Sequence, residues 1–148
     1  MLINRRTILL EWGDCDPAGI VYFPRYMEYG DGCTHALFER VGLPKPRMQE
    51  KYGIVGIPIV DVKAKFLMPS KYSETLTVES SVTEWGHSSF VVSHKFLRAK
   101  EVAVEITEKR VWSARAADGS GRLESREVPA EVKDKFGGPQ APPAPAGK

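Results

Sequence analysis

Two aspartates flank a cysteine in the stretch "GDCDPAGIVYFPRY", residues 13–26, and a Pro-Ala-Gly turn follows them. A carboxylate just ahead of a helix ordinarily caps it, because the first backbone N–H groups lack intrahelical partners and the dipole is positive there. Asp14 and Asp16, however, stand eight or more residues ahead of the helical pattern that opens at Pro24. The intervening loop must fold back, and Pro17 and Gly19 are residue types that permit it. A reversing loop that feeds a helix N-terminus offers free N–H donors to an oxyanion. A carboxylate beside those donors can attack a bound carbonyl, or deprotonate the water that attacks it. Spacing alone leaves both the capping and the chemical reading open. Cys15 is excluded as the nucleophile, since adjacent carboxylates disfavour a thiolate.

Other chemistries find little support. The two cysteines, Cys15 and Cys33, make no CxxC, and the three histidines (His35, His87, His94) show no zinc-ligand spacing. No Ser-His-Asp arrangement can be built around this loop, because every histidine is remote from it in sequence. The formal net charge is +2 and the basic residues are scattered, which argues against a nucleic-acid partner. Trp12, Trp85 and Trp112 accompany no basic stripe and read as packing anchors. There is no apolar run of membrane-spanning length and no secretory h-region, so a cytoplasmic protein with reduced thiols is expected.

The elements that must hold the loop follow from periodicity. Residues 3–12 read as a strand. From Pro24, Tyr26, Cys33, Leu37 and Val41 recur at helical spacing, and Gly42 is the expected stop. Gly30 and Gly32 inside this helix each cost about 1 kcal/mol against Ala, so a close contact on that face is expected. Residues 43–53 read as a loop with one short helical turn. Beyond residue 57 the period becomes two. Four strand-like segments follow over residues 57–68, 74–85, 88–99 and 102–115, and a short one closes the series after "ADGSG". This order predicts an α+β fold in which one curved meander sheet is covered on one face by one long helix. An edge or the second face is then left to pair with another copy. A single domain over residues 1–136 is expected, with a Pro/Ala/Gly-rich disordered tail over 137–148.

The segment "GDCDPAGIVYFPRY" resembles the signature of the hot-dog-fold acyl-CoA thioesterases, above all their 4-hydroxybenzoyl-CoA thioesterase branch. The resemblance continues through "GLP" (42–44), "YGIVGIPIV" (52–60), "TEWGHSSFVVSH" (83–94) and "EVPAE" (127–131), nearly the whole chain apart from the tail. It implies hydrolysis of an aromatic acyl-CoA, with 4-hydroxybenzoyl-CoA or benzoyl-CoA in front, and no metal or other cofactor. A non-catalytic acyl-CoA binding protein and a short-chain thioesterase of the same fold are the alternatives. Asp16 would be the catalytic carboxylate. The backbone N–H groups of Tyr22 and Phe23, with Phe23 favoured, would polarise the thioester oxygen. Two chains would pair edge to edge with the active sites at their interface, and two dimers would form a homotetramer.

The resemblance also marks departures. Many relatives carry a histidine where Phe23 stands, and its absence points to the aromatic branch. Gly86, His87 and Ser88 occupy positions that are basic in the 4-hydroxybenzoyl branch and meet the CoA phosphates there. Lys63, Lys65, Arg98 and Arg110 are candidate substitutes for those contacts, and Ser89 is a further candidate donor. Asp31 falls where the aromatic branch reaches the acyl group, and its carboxylate is expected to accept from a ring hydroxyl. Ile57 replaces an expected hydroxyl partner at the same pocket, which favours a plainer ring such as benzoyl.

Overall fold

The computed structural model describes residues 1–137; the tail expected over 137–148 lies, beyond Gly137, outside the described residues. The chain runs β1 (Asn4–Leu9), a 3-10 turn (Trp12–Asp14), α1 (Pro24–Arg40), α2 (Lys45–Tyr52), β2 (Ile59–Phe66), β3 (Thr75–Trp85), β4 (Ser89–Arg98), β5 (Glu101–Val111), β6 (Ser113–Arg115), β7 (Leu123–Ser125) and α3 (Ala130–Gly137).

The main sheet is antiparallel, as expected, but it is not a simple meander. Its strand order is β1-β3-β4-β5-β2. β2 does not join β3. It crosses to the far edge and pairs with β5 from Ile59↔Arg110 to Phe66↔Val104, with a register shift between Ile59 and Asp61. β1 takes the place beside β3. Two helices also exceed the sequence reading. α2 is a full eight-residue helix where one turn is expected, and α3 falls in a segment read as non-helical. The short closing strand, β7, pairs with β6 in a separate two-stranded ribbon.

α1 begins at Pro24 and ends at Arg40, and Gly42 beyond it has φ +82°. That left-handed conformation suits glycine and stops the helix where expected. Its buried residues are Tyr26, Gly30, Cys33, Thr34, Leu37 and Phe38, one face at helical spacing. They divide the core in two. Tyr26 and Cys33 pack with Val21, Leu76, Val78, Phe96, Val104 and Ile106. Leu37 and Phe38 pack with Val82, Phe90, Val92, Trp112, Val132 and Phe136.

A buried polar seam crosses the core on that same helix face. Thr34 donates from Oγ1 to Glu108 Oε1 at 2.5 Å. His94 Nε2 lies 3.2 Å from the same oxygen and 3.1 Å from Thr34 Oγ1, and His94 Nδ1 pairs with the Ser80 hydroxyl at 2.7 Å. Gly30 lies directly over the seam. A Cβ there would sit 3.3 Å from Glu108 Oε2 and 3.6 Å from His94 Cδ2, which is the close approach that the glycine implied.

Replacing Gly30 by Val adds helix propensity and crowds Glu108 and His94. The expected result in urea unfolding is a net loss of about 1–3 kcal/mol. Gly13→Val, where an added Cβ meets nothing within 4 Å, should stay within about 0.5 kcal/mol of wild type.

Candidate active site

The loop between the 3-10 turn and α1 closes into a small hairpin. Cys15 bridges to Val21. On one side of that bridge Asp16 N–H donates to Ile20 O at 2.9 Å, and on the other Tyr22 N–H donates to Asp14 O at 2.8 Å. Gly19 turns the tip with φ +82° and donates to Asp16 O at 2.9 Å. The hairpin is tied to the body where Val21 N–H donates to Ser70 O. One arm therefore carries Asp16, and the other runs directly into α1.

Asp14 and Asp16 take different parts. Asp14 Oδ2 accepts from Glu11 N–H at 2.9 Å, and its Oδ1 lies 3.7 Å from Arg25 Nε, so this side chain braces the entry to the hairpin. Asp16 uses Oδ1 to accept from Ala18 N–H at 2.8 Å, a local turn bond. Its Oδ2 has no protein partner among the described residues. One oxygen is thus held in the turn and the other is unpaired.

The start of α1 is left open. Phe23 is the N-cap, in helical conformation, and no side chain caps the helix. Pro24 has no N–H, and the amides of Arg25 and Tyr26 already donate to Tyr22 O and Phe23 O. The Tyr22 amide, one of the two donors implied by the resemblance, is likewise spent on Asp14 O. That leaves the Phe23 amide, which has no acceptor among the described residues. Of the two amides expected as oxyanion donors, that of Tyr22 is engaged and that of Phe23 is without an acceptor among the described residues. Beside it lies an apolar cavity of about 250 Å³, lined by residues that include Ile20, Phe23, Tyr26 and Phe66. A larger cavity, about 700 Å³, lies between β1 and α1 and takes in Asp14 but not Asp16.

Asp31 and Ile57 do not line the apolar cavity, yet one side chain joins them. Arg110 Nη2 donates to Asp31 Oδ1 and Nη1 to Ile57 O, both at 2.9 Å. Arg110 is itself buried, so it is removed from the candidate phosphate contacts. Arg98 is committed as well, donating to Pro69 O at 2.7 Å and facing Glu74.

The remaining phosphate candidates separate. Lys63 and Ser89 line one groove on the outer face of the sheet, about 350 Å³ in volume, together with Lys109, which the sequence reading missed, and with Asp61 and Glu84. Lys65 lies on exposed β2 outside that lining, opposite Glu105. His87 is exposed and faces Glu127 at 3.4 Å, and Ser88 accepts through its carbonyl from Trp112 N–H. Lys109 was legible in principle. It alternates in phase with Glu105 and Thr107 on the polar side of β5. No cluster of three His, Cys, Asp or Glu suited to a metal occurs among the described residues, and none of their helices is long and apolar enough to cross a membrane.

A five-stranded antiparallel sheet packed against one long helix is the hot-dog arrangement. Residues 10–136 match the thioesterase-like superfamily, and the chain belongs to it. Within it the chain groups with acyl-CoA thioesterases. It is 39% identical over 128 residues to the 4-hydroxybenzoyl-CoA thioesterase of Pseudomonas sp. (strain CBS-3), covering 82% of this chain and 89% of that one. It is 30% identical over 97 residues to the 1,4-dihydroxy-2-naphthoyl-CoA hydrolase of Synechococcus sp. (strain WH7803), covering 62% and 63%. Among solved structures, an aspartate-to-asparagine mutant of 4-hydroxybenzoyl-CoA thioesterase complexed with 4-hydroxybenzoyl-CoA superposes with a TM-score of 0.84. It is 33% identical, over 92% of this chain and 99% of that one. A gentisyl-coenzyme A thioesterase superposes with a TM-score of 0.77 at 26% identity, covering 91% of this chain and 100% of that one.

The electrostatics of the seam give a pH test. Burial by itself would raise the Glu108 pKa, but the hydrogen bond and charge of His94, with Arg110 and Thr34, outweigh it and hold the group at about 2, below its usual 4.5. A depressed carboxylate contributes its full stabilisation above its unfolded pKa and loses it as pH falls toward its folded one. Wild type should therefore lose roughly 3 kcal/mol between pH 5 and pH 2 through this group. Glu108→Gln, less stable at neutral pH, should show a correspondingly flatter acid limb in denaturant titrations over that window.

Proposed function

We propose that this thioesterase hydrolyses an aromatic acyl-CoA, with 4-hydroxybenzoyl-CoA or benzoyl-CoA as substrate, to the free acid and CoA. The observation that carries the reading is the hairpin. It fixes Asp16 through one carboxylate oxygen and delivers the unpaired Phe23 amide at the helix start. The thioester carbonyl oxygen docks on Phe23 N–H, where a single donor in a dry site typically contributes a factor of about 10²–10³. Asp16 either attacks the carbonyl carbon, giving a mixed anhydride that water then hydrolyses to release the acid and restore the carboxylate, or takes a proton from the water that attacks the carbonyl directly. The C–S bond breaks, the thiolate leaves as CoA, and water supplies the oxygen of the product acid. A thiolate leaves readily, so one carboxylate and one oxyanion donor suffice without a triad.

Further placements are part of the same reading. Asp31 and Ile57 border the acyl group. Lys63, Lys109 and Ser89 contact the CoA phosphates, a role supported by their common groove. Two copies pair along β2, and dimers associate into a tetramer. β2 is an edge strand, and its Ile59, Val60, Val62 and Phe66 are exposed apolar side chains in the isolated chain. Such a row on an open edge favours a partner.

Asp16→Asn separates catalysis from folding, since the amide oxygen still accepts from Ala18 N–H. Free-thiol release from a panel of 4-hydroxybenzoyl-, benzoyl-, phenylacetyl-, acetyl- and hexanoyl-CoA should be fastest on the aromatic thioesters. It should fall at least about 10²-fold in the variant, with an unchanged melting temperature. Binding without thiol release in wild type would replace this reading with a non-catalytic acyl-CoA binding protein. Preference for acetyl- or hexanoyl-CoA would replace it with a short-chain enzyme.

A further inference from the structure

Arg110 stands where three segments meet. It projects from β5, is held by Glu108 two residues away, and reaches both the loop before β2 and the middle of α1. Nε donates to Glu108 Oε1 at 3.0 Å, Nη1 to Ile57 O at 2.9 Å and Nη2 to Asp31 Oδ1 at 2.9 Å. Its side chain is 3% exposed, whereas the Asp31 side chain that it holds is 53% exposed. The contact runs from a buried guanidinium to a solvent-exposed carboxylate.

The charges make this contact more than a closed ion pair. Glu108 lies behind the guanidinium, 2% exposed, and neutralises it within the core. Thr34 and His94 fix Glu108 in turn, and Ser80 fixes His94. Glu108, which also pairs with His94, faces Arg110 from inside the core, and Asp31 faces it from the solvent side. Both contacts to Asp31, from Arg110 and from His35 Nε2 at 3.5 Å, fall on Oδ1. Oδ2 has no protein partner among the described residues. The guanidinium fork is planar and its other donors are fixed on Glu108 and Ile57 O, so the one Nη2 bond holds Asp31 Oδ1 at a set place and leaves Oδ2 as the unpaired oxygen. The same fork, through Ile57 O, sets the main chain of the other residue assigned to the acyl group.

We propose that Arg110 is a positioning residue for acyl specificity: by holding Asp31 and the Ile57 main chain with one guanidinium, it aims a free carboxylate oxygen at a hydroxyl on the acyl ring. This rests on the reading above that Asp31 and Ile57 border the acyl group, and it extends that reading to the substrate class, a ring that carries a hydroxyl donor. Arg110 itself touches no substrate. Asp31 remains in place without it but loses its fixed direction. Discrimination then suffers more than turnover, because a site built to accept a hydroxyl rejects the analogue without it only while its acceptor is held in place.

The test compares kcat and KM for 4-hydroxybenzoyl-CoA and benzoyl-CoA in wild type, Arg110→Lys, Asp31→Asn and the double variant. Lysine keeps the charge and loses the fork. Arg110→Lys should lower the ratio of the two kcat/KM values about tenfold, mainly by raising KM for the hydroxylated substrate, while kcat on benzoyl-CoA stays within about twofold. In the Asp31→Asn background the same change should leave the ratio where Asp31→Asn alone puts it, since both act through one contact. A merely structural role lowers both substrates alike and adds to Asp31→Asn; that pattern, or an unchanged ratio, overturns the proposal. If Arg110→Lys does not fold, Glu108→Gln with Arg110→Gln removes both buried charges together, which cores tolerate better than the loss of one. The ratio should fall there too, and an unchanged ratio again overturns the proposal. Wild type that hydrolyses both rings without preference also overturns it, while leaving the aromatic thioesterase reading intact. Wild type that hydrolyses neither defeats that reading itself.

Discussion

Glu108 is a carboxylate in the middle of a hydrophobic core, and α1 can sit where it does because Gly30 leaves room above it. An unpaired buried carboxylate would cost several kcal/mol. Thr34, His94 and Arg110 compensate it, and each comes from a different element, so the helix, β4 and β5 are locked in one relative placement. Apolar contacts on either side of the seam supply most of the burial energy, but packing of that kind tolerates sliding. Charged hydrogen bonds with fixed directions do not. The seam therefore sets the axial position of α1, and through it the groups on α1 that are proposed to act on substrate.

Those groups lie at two points along the helix. At its start, Phe23 presents an N–H that the surrounding hairpin leaves unpaired, and the same hairpin orients Asp16. Two turns further on, Asp31 projects from the exposed side and is reached by Arg110 from beneath. The chemistry requires little else from the protein. The hairpin is short and held by backbone hydrogen bonds at both ends, which in the proposed mechanism preorganises the carboxylate and the donor before substrate arrives.

Much of this was legible in the residues. Pro24 and Gly42 bounded α1, Gly30 signalled a close neighbour, and Pro17 and Gly19 marked the reversing loop ahead of α1. Other features depended on distant pairing. The position of β2 beside β5 follows from contacts between segments forty residues apart, which alternation within β2 cannot reveal. The commitment of the Tyr22 amide appears only once the hairpin closes on Asp14 O. Arg110 looked like one more charge on a polar strand. Its signal was phase, because Glu108 and Arg110 alternate in step with buried Val104 and Ile106, whereas Glu105, Thr107 and Lys109 face outward. α3 was also marked, by Val132 and Phe136 at spacing four behind Pro129, with Val128 one further step of four ahead of Val132, but the segment is short and its neighbours read as strand and tail.

In the proposed mechanism the hairpin brings one carboxylate and one backbone donor to the same carbonyl. The most direct measurement is a crystal structure with an analogue of 4-hydroxybenzoyl-CoA in which a methylene replaces the thioester sulfur, so that the carbonyl is kept and cannot be hydrolysed. The account predicts the ketone oxygen at about 2.7–3.1 Å from Phe23 N, with an Asp16 carboxylate oxygen facing the carbonyl carbon. A carbonyl oxygen turned away from Phe23, or an acyl group bound beyond the reach of Asp16, would contradict it.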